Sequence, residues 1–132
     1  MPGITESRPR DAKRDERAGE ALERLFVEMR ATFGTYSNVR LAQAFVVATR
    51  NETASRADVA AVTKAESSTN AYDMGALARY GRGGKRGLRL LTESPDPLEP
   101  RAYVYRTTPK GKAALSRLMA AIGPRPSSRA GV

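Results

Sequence analysis

The sequence contains no cysteine, no histidine and no tryptophan among its 132 residues. Without His or Cys there is no Ser-His-Asp or Cys-His nucleophile, and the usual nitrogen and sulfur ligand sets for zinc or iron are missing. An enzyme is therefore not expected, and neither is a metal or a cofactor. No disulfide can staple the chain, which for a protein this small points to the cytoplasm. Long apolar runs are missing too. The opening MPGITESRPRDAKRDERAGE holds no signal-like stretch, and the uncharged run from Leu41 to Thr49 is too short to span a bilayer, so no membrane association is expected.

Large apolar side chains are scarce. Leu, Ile, Val and Phe number 23, against 21 Ala, below the roughly one-fifth share at which a highly charged chain starts to lose its ability to fold. The length suits one domain with a modest core, and so small a core favours a homodimer over a monomer.

Positive charge is abundant. The chain carries 23 Lys plus Arg against 14 Asp plus Glu, a formal net charge of +9. The excess is concentrated: residues 76–112 hold nine basic and three acidic residues, whereas 18–75 hold six and seven. Such a block is a footprint for a polyanion.

The pattern along the chain predicts one domain over residues 13–123, preceded by a disordered arm (1–12) and followed by a basic, flexible tail (124–132). From Arg17 to Phe33, Leu22, Leu25, Phe26, Met29 and Phe33 recur at helical spacing. Gly34 stops that helix, and Ser37 or Asn38 caps a second whose inward face is Val39, Ala42, Phe45, Val46 and Thr49. After an exit loop, Asn51 to Ala54, the pair Ser55 and Asp58 has capping-box spacing and opens a short third helix with Val59 and Val62 inward. The joint Lys64-Ala65-Glu66 leads into a fourth, SSTNAYDMGALARY, with Met74 and Leu77 on its core side. Two short helices across a tight joint spell helix-turn-helix.

The glycine-rich GRGGKRG, Gly81 to Gly87, must be a loop. It fails the Walker pattern because Gly84-Lys85 is followed by Arg86. It touches a nucleic-acid backbone or is a solvated linker, and its Arg-Gly character also admits single-stranded RNA. Two β-rich stretches follow, Leu88 to Thr92 and Ala102 to Thr108, around a proline-stiffened tip, ESPDPLEPR. Tyr103 and Tyr105 are expected to pack this hairpin onto the core. Glu93, Asp96 and Glu99 read as tip solvation and arginine pairing. Thr108 and Pro109 start a last helix with Leu115, Leu118, Met119 and Ile122 on one face, stopped by Gly123-Pro124.

This order of helices, helix-turn-helix, two-stranded wing and helix is mainly α with a small β-hairpin: a winged helix-turn-helix. DPLEPRAYVYRTTPKGKAAL (Asp96 to Leu115) resembles the wing of the MarR (multiple antibiotic resistance regulator) family, in which an acidic-x-Arg tip leads into a Leu-Thr-Pro-x-Gly-type helix start. VAAVTKAESSTNAYDMGAL (Val59 to Leu77) is similar to that family's helix-turn-helix. The resemblance implies a transcriptional regulator, dimeric through its N- and C-terminal helices, that binds double-stranded DNA at the nucleoid. It lays the fourth helix in a major groove and the wing along a minor groove. Ser67, Ser68, Thr69, Asn70, Ala71 and Tyr72 are then the reading residues. Arg101 is the minor-groove arginine, with Glu99 as the acid that orients it, and Arg82, Lys85 and Arg86 lie on the backbone. The chain departs from the pattern at three places. Lys64 stands where such joints favour Gly, Glu66 where an N-cap is expected, and Asn70 where the family has a buried aliphatic. An outward Asn70 would be an adenine reader, and Glu66 and Asp73 would face phosphates unless paired. No thiol or imidazole is available for sensing, and a small-molecule effector stays open. The alternative reading is a winged-helix adaptor for protein or RNA that does not read duplex DNA.

Overall fold

The computed structural model describes residues 9–123. Residues 1–8 and the expected tail, 124–132, lie outside the described residues, as do the side chains of residues 9, 10 and 82. The described chain runs α1 (Pro9–Phe33), a 3-10 turn (Gly34–Tyr36), α2 (Val39–Thr49), β1 (Ala54–Ser55), α3 (Arg56–Thr63), α4 (Ser67–Ala78), β2 (Leu91–Pro95), β3 (Tyr103–Thr107) and α5 (Pro109–Ile122).

Helix α1 starts earlier than the sequence pattern led us to expect. The span 9–12, assigned to the arm, forms its first turn. Pro9 at the helix start and Asp11 in the first turn both favour an N-terminus. This part of the helix is polar all round, so periodicity gave no sign of it. Leu25, Met29 and Phe33 face the core, whereas Leu22 and Phe26 are exposed.

Helix α2 is capped by Asn38, whose side chain accepts the Leu41 amide at 2.7 Å. Its buried face is Leu41, Ala44, Phe45 and Ala48, not the expected Val39, Ala42, Phe45, Val46 and Thr49. Only Phe45 belongs to both sets, and Val39 is 75% exposed. The helix is apolar nearly all round, so hydrophobicity alone could not choose a face. Phe45 meets Phe33 edge to face at 5.7 Å between centroids, which fixes the α1–α2 contact.

The capping box at α3 is present in both directions: the Asp58 amide donates to Ser55 Oγ and the Ser55 amide donates to the Asp58 carboxylate. Val59 is buried, but Val62, expected inward, is exposed. Lys64 takes the left-handed conformation usual for glycine, with φ 60°, so the helix-turn-helix joint forms without a glycine.

The hairpin gains a third strand. β1, which joins the last residue of the expected exit loop, Ala54, to the α3 cap, Ser55, pairs antiparallel with β3 through Ala54–Tyr105 and Ser55–Val104, giving the order β1-β3-β2. The β2–β3 register sets Leu91 against Thr107 and Glu93 against Tyr105. The segment 88–90, expected to begin the first hairpin strand, instead caps α4. The amides of Leu88, Arg89 and Leu90 donate to the carbonyls of Ala76, Ala78 and Leu77 at 2.8–3.1 Å, satisfying acceptors that a helix C-terminus leaves open.

Thr108 caps α5, accepting the Gly111 amide at 2.9 Å and donating to the Arg89 carbonyl at 2.8 Å. At Gly111 the helix start lies against the Leu90 backbone, so closely that a Cβ would run into the Leu90 carbonyl oxygen. Gly111→Ala is therefore expected to lower the stability of the folded chain by about 1–3 kcal/mol. A urea unfolding midpoint unchanged from wild type would contradict this close approach.

Candidate nucleic-acid interface

The inner face of α4 is Asn70, Asp73, Met74 and Leu77, all buried. Helical geometry then leaves Ser67, Ser68, Ala71 and Tyr72 on the other side, where both serines are exposed and Ala71 and Tyr72 are half-buried; Thr69 lies between the two faces. Asn70 is thus not an outward reader. Its amide nitrogen donates to the Arg56 carbonyl at 2.8 Å, and it occupies the buried site that the resemblance gives to an aliphatic residue. Ser67 is the first helical residue, and Glu66 at the N-cap makes no side-chain capping bond.

Asp73 does not confront phosphates. Arg40 of α2 holds it with two bonds, Nε to Oδ2 at 2.7 Å and Nη2 to Oδ1 at 3.2 Å. The carboxylate is buried and the guanidinium half-exposed, and the hydrogen bond to Asp73 raises the arginine pKa. This forked pair fixes the rotation of α4 against α2.

The loop after α4 is built rather than slack. Tyr80 and Arg86 form an antiparallel bridge, the Gly81 amide donates to the Lys85 carbonyl at 2.7 Å, and the Gly87 amide donates to the Arg79 carbonyl at 2.7 Å. Between them, Arg82–Gly84 make a 3-10 turn with Gly83 and Gly84 at positive φ. The Tyr36 hydroxyl donates to the Arg86 carbonyl at 3.1 Å, and its ring fills the space a Cβ on Gly81 would need. Lys85 and Arg86 project from this base into solvent.

At the wing tip, Asp96 Oδ1 accepts the Leu98 amide at 2.9 Å, and the Asp96 amide closes the turn on the Ala102 carbonyl at 2.9 Å. Glu99 and Arg101 are both exposed, and no ion pair joins them among the described residues. The wing base is tied down elsewhere. Tyr105 is fully buried, donates to Glu93 Oε2 at 2.6 Å and accepts from Arg56 Nε at 2.9 Å. Burial and the Glu93 carboxylate push its phenol well above the usual tyrosine value, outweighing the opposing effect of Arg56. Tyr103 is more exposed and stacks under the Arg56 guanidinium, 4.8 Å from the ring centroid.

The structure therefore gathers the outward face of α4 and the basic loop that continues from it, and packs β2 against α4. Among the described residues, Glu99 and Arg101 form no hydrogen bond or ion pair with either. Sequence reasoning missed Arg40 and Arg56. Both lie in a stretch that is neutral overall, and their partners are 33 and 49 residues away, so no local signal could have found them. Among the described residues there is no cluster of Asp and Glu able to hold a metal ion, and no helix is long and apolar enough to cross a membrane.

No protein-family model matches the sequence, and no curated protein does. Solved structures do match the fold. MarR is 13% identical over 86% of this chain and 75% of its own, with a TM-score of 0.58. The PcaV transcriptional regulator from Streptomyces coelicolor is 18% identical over 88% of this chain and 76% of its own, with a TM-score of 0.55. BpsR from Bordetella bronchiseptica, whose DNA binding is regulated by 6-hydroxynicotinic acid, is 17% identical over 83% of this chain and 77% of its own, with a TM-score of 0.54. The architecture is the MarR-type winged helix, as the wing and helix-turn-helix motifs imply.

The raised Tyr105 phenol has a sign that can be measured. Its folded-state pKa lies above that of the unfolded chain, so the stabilisation is complete below about pH 10 and is lost as pH rises beyond it. Unfolding followed between pH 8 and 11 is expected to show a decline in wild type and a shallower one in Tyr105→Phe. Parallel curves would mean that the buried phenol does not contribute.

Proposed function

We propose that this chain is a MarR-like transcriptional regulator that binds double-stranded DNA sequence-specifically as a homodimer, in the cytoplasm and on the nucleoid. The observation that carries this reading is the outward face of α4: a helix-turn-helix second helix whose first turn presents Ser67 and Ser68, followed by a stiff loop with exposed Lys85 and Arg86. Small polar residues let a helix N-terminus approach phosphates closely and offer amides to them, and the next turn then reaches base edges.

Ser67, Ser68, Thr69, Ala71 and Tyr72 enter the major groove, and Arg82, Lys85 and Arg86 lie on the backbone. Arg101 enters the minor groove, whose negative potential steadies an arginine, and Glu99 orients it once DNA is in place. The solved structures of BpsR and PcaV support the regulatory reading by analogy of fold. The adaptor alternative gains weight if Glu66 and Asp73, at and on the reading helix, face a nucleic acid unpaired. One of them, Asp73, is buried and neutralised by Arg40.

The dimer reading rests on what α1 and α5 leave uncovered. Of the apolar residues on these two helices, Leu25, Met29, Leu115 and Leu118 turn toward the protomer's own core, while Leu22, Phe26, Met119 and Ile122 stay exposed, joined by Val27. These side chains are the face for a second copy, packed across a two-fold axis. On this reading residues 9–123 are a single DNA-binding domain with dimerisation helices at both ends.

Selection, binding and sedimentation experiments test these assignments. Selection of bound fragments from genomic DNA should yield a preferred operator, and a dimer covering about four phosphates per protomer should bind it with a log–log salt slope of roughly −7. Lys85→Ala with Arg86→Ala should flatten that slope by about 4 without changing the preferred sequence. Arg101→Ala should cost about 1–3 kcal/mol on the operator and less where the flanks have a wide minor groove. No enrichment of any duplex would sink the DNA reading. Sedimentation should show a dimer at micromolar concentration that Phe26→Glu converts to a folded monomer, and a wild-type monomer there would sink the dimer.

A further inference from the structure

Arg56, the first residue of α3, joins both halves of the interface, its side chain reaching the wing and its backbone carbonyl reaching α4. Its Nε donates to the Tyr105 hydroxyl at 2.9 Å, its Nη2 lies 3.5 Å from Glu93 Oε2, and its guanidinium covers the Tyr103 ring at 4.8 Å. These three partners are wing residues. Its backbone carbonyl accepts the Asn70 amide of α4 at 2.8 Å. We propose that Arg56 is a positioning residue that locks the wing to the reading helix, so that the protein demands a fixed spacing between the minor-groove flank and the major-groove core of its operator. The proposal rests on the duplex-DNA reading above.

The wing needs such a lock. A two-stranded hairpin is marginal by itself, and β1 adds only Ala54 and Ser55 to it. The Tyr105 hydroxyl donates to Glu93 within the wing and accepts from Arg56 of α3, so a swing of the wing against α3 breaks the Arg56 bond beside a buried ring. Arginine suits the post because one planar, forked group can stack on Tyr103 while bonding Tyr105 and Glu93, which fixes direction as well as distance. A lysine has a point charge on a flexible stem and can do one of these at a time. The α4 side of the lock is equally unforgiving. Asn70 is buried, and among the described residues its Oδ1 has no partner and the bond to Arg56 is the one hydrogen bond its side chain makes. Turning α4 against α3 loses that bond with no replacement.

A locked unit makes a demand that two independent contacts do not. Inserting one base pair between core and flank moves the flank by about 3.4 Å and rotates it by about 35°. A wing free to swing follows that displacement, whereas a wing held at Arg56 does not.

The test measures affinity for the selected operator and for copies whose narrow-groove flank is displaced by one base pair. Wild type is expected to lose at least tenfold on displacement. Arg56→Met and Tyr105→Phe are expected to bind the original operator a few-fold more weakly but to lose less than threefold on displacement, and Arg56→Lys should behave like Arg56→Met. Tyr105→Phe keeps the buried ring and decides the matter if Arg56→Met does not fold. Variants that keep the full tenfold discrimination, variants weakened equally on every duplex, or a wild type indifferent to spacing would each overturn the lock. If wild type binds no duplex, the DNA reading fails by itself, and hydrogen exchange then judges the lock without DNA. Faster exchange across the β2–β3 ladder in Tyr105→Phe, with α1 and α5 unchanged, supports it, and unchanged wing exchange overturns it.

Discussion

The shortage of large side chains governs how this molecule is held together. Ala44, Ala48, Ala54, Ala76, Ala78, Ala114 and Ala121 are all buried. Alanine lets helix backbones come close but contributes little apolar area and almost no shape to key one element to another. Packing of that kind leaves neighbouring helices free to slide and rotate. Direction has to come from elsewhere, and here it comes from a few polar bonds of defined geometry: Arg40 to Asp73 between α2 and α4, Arg56 to Tyr105 and Glu93 between α3 and the wing, and Asn70 to the Arg56 carbonyl. Tyr105 serves both needs, since it is the largest fully buried side chain and also carries the hydroxyl at the centre of the wing's attachment.

The same bonds sort the arginines. Arg40 and Arg56 are committed to internal carboxylates, and the acids they hold, Asp73 and Glu93, are removed from the surface charge. Lys85, Arg86 and Arg101 are exposed with no such partner among the described residues. The division follows the charge layout along the chain, where the neutral stretch supplies structural arginines and the basic block supplies free ones.

Legibility in the sequence followed the range of each interaction. The caps at Asn38, Ser55 with Asp58, and Thr108 with Pro109 are local and were readable residue by residue. The winged-helix order follows from them, and the turn from Met74 to Leu77 correctly marked the core side of α4. The inward face of α2 was not readable, because Val39, Leu41, Ala42, Phe45 and Val46 are spread around it and only the fold selects among them. β1 escaped notice because two residues carry no alternation, and their strand character comes wholly from pairing with Tyr105 and Val104. Asn70 misled because a polar residue early in a reading helix is ordinarily turned outward. Its reason to be buried, the Arg56 carbonyl, lies 14 residues back.

The distance in sequence between α1 and its support has one more consequence. α1 packs chiefly on α5, and the two are bonded from Arg24 to the Ala121 carbonyl, 97 residues apart. A chain made from its N-terminus exposes the stripe of Leu25, Met29 and Phe33 early, yet the helix that covers much of it is the last described element to be synthesised. Helices α2 to α4 can gather around local caps while α1 waits. Once α5 is made, a clasp can close over a nearly assembled body, and until then α1 is a part of the nascent chain in need of shelter.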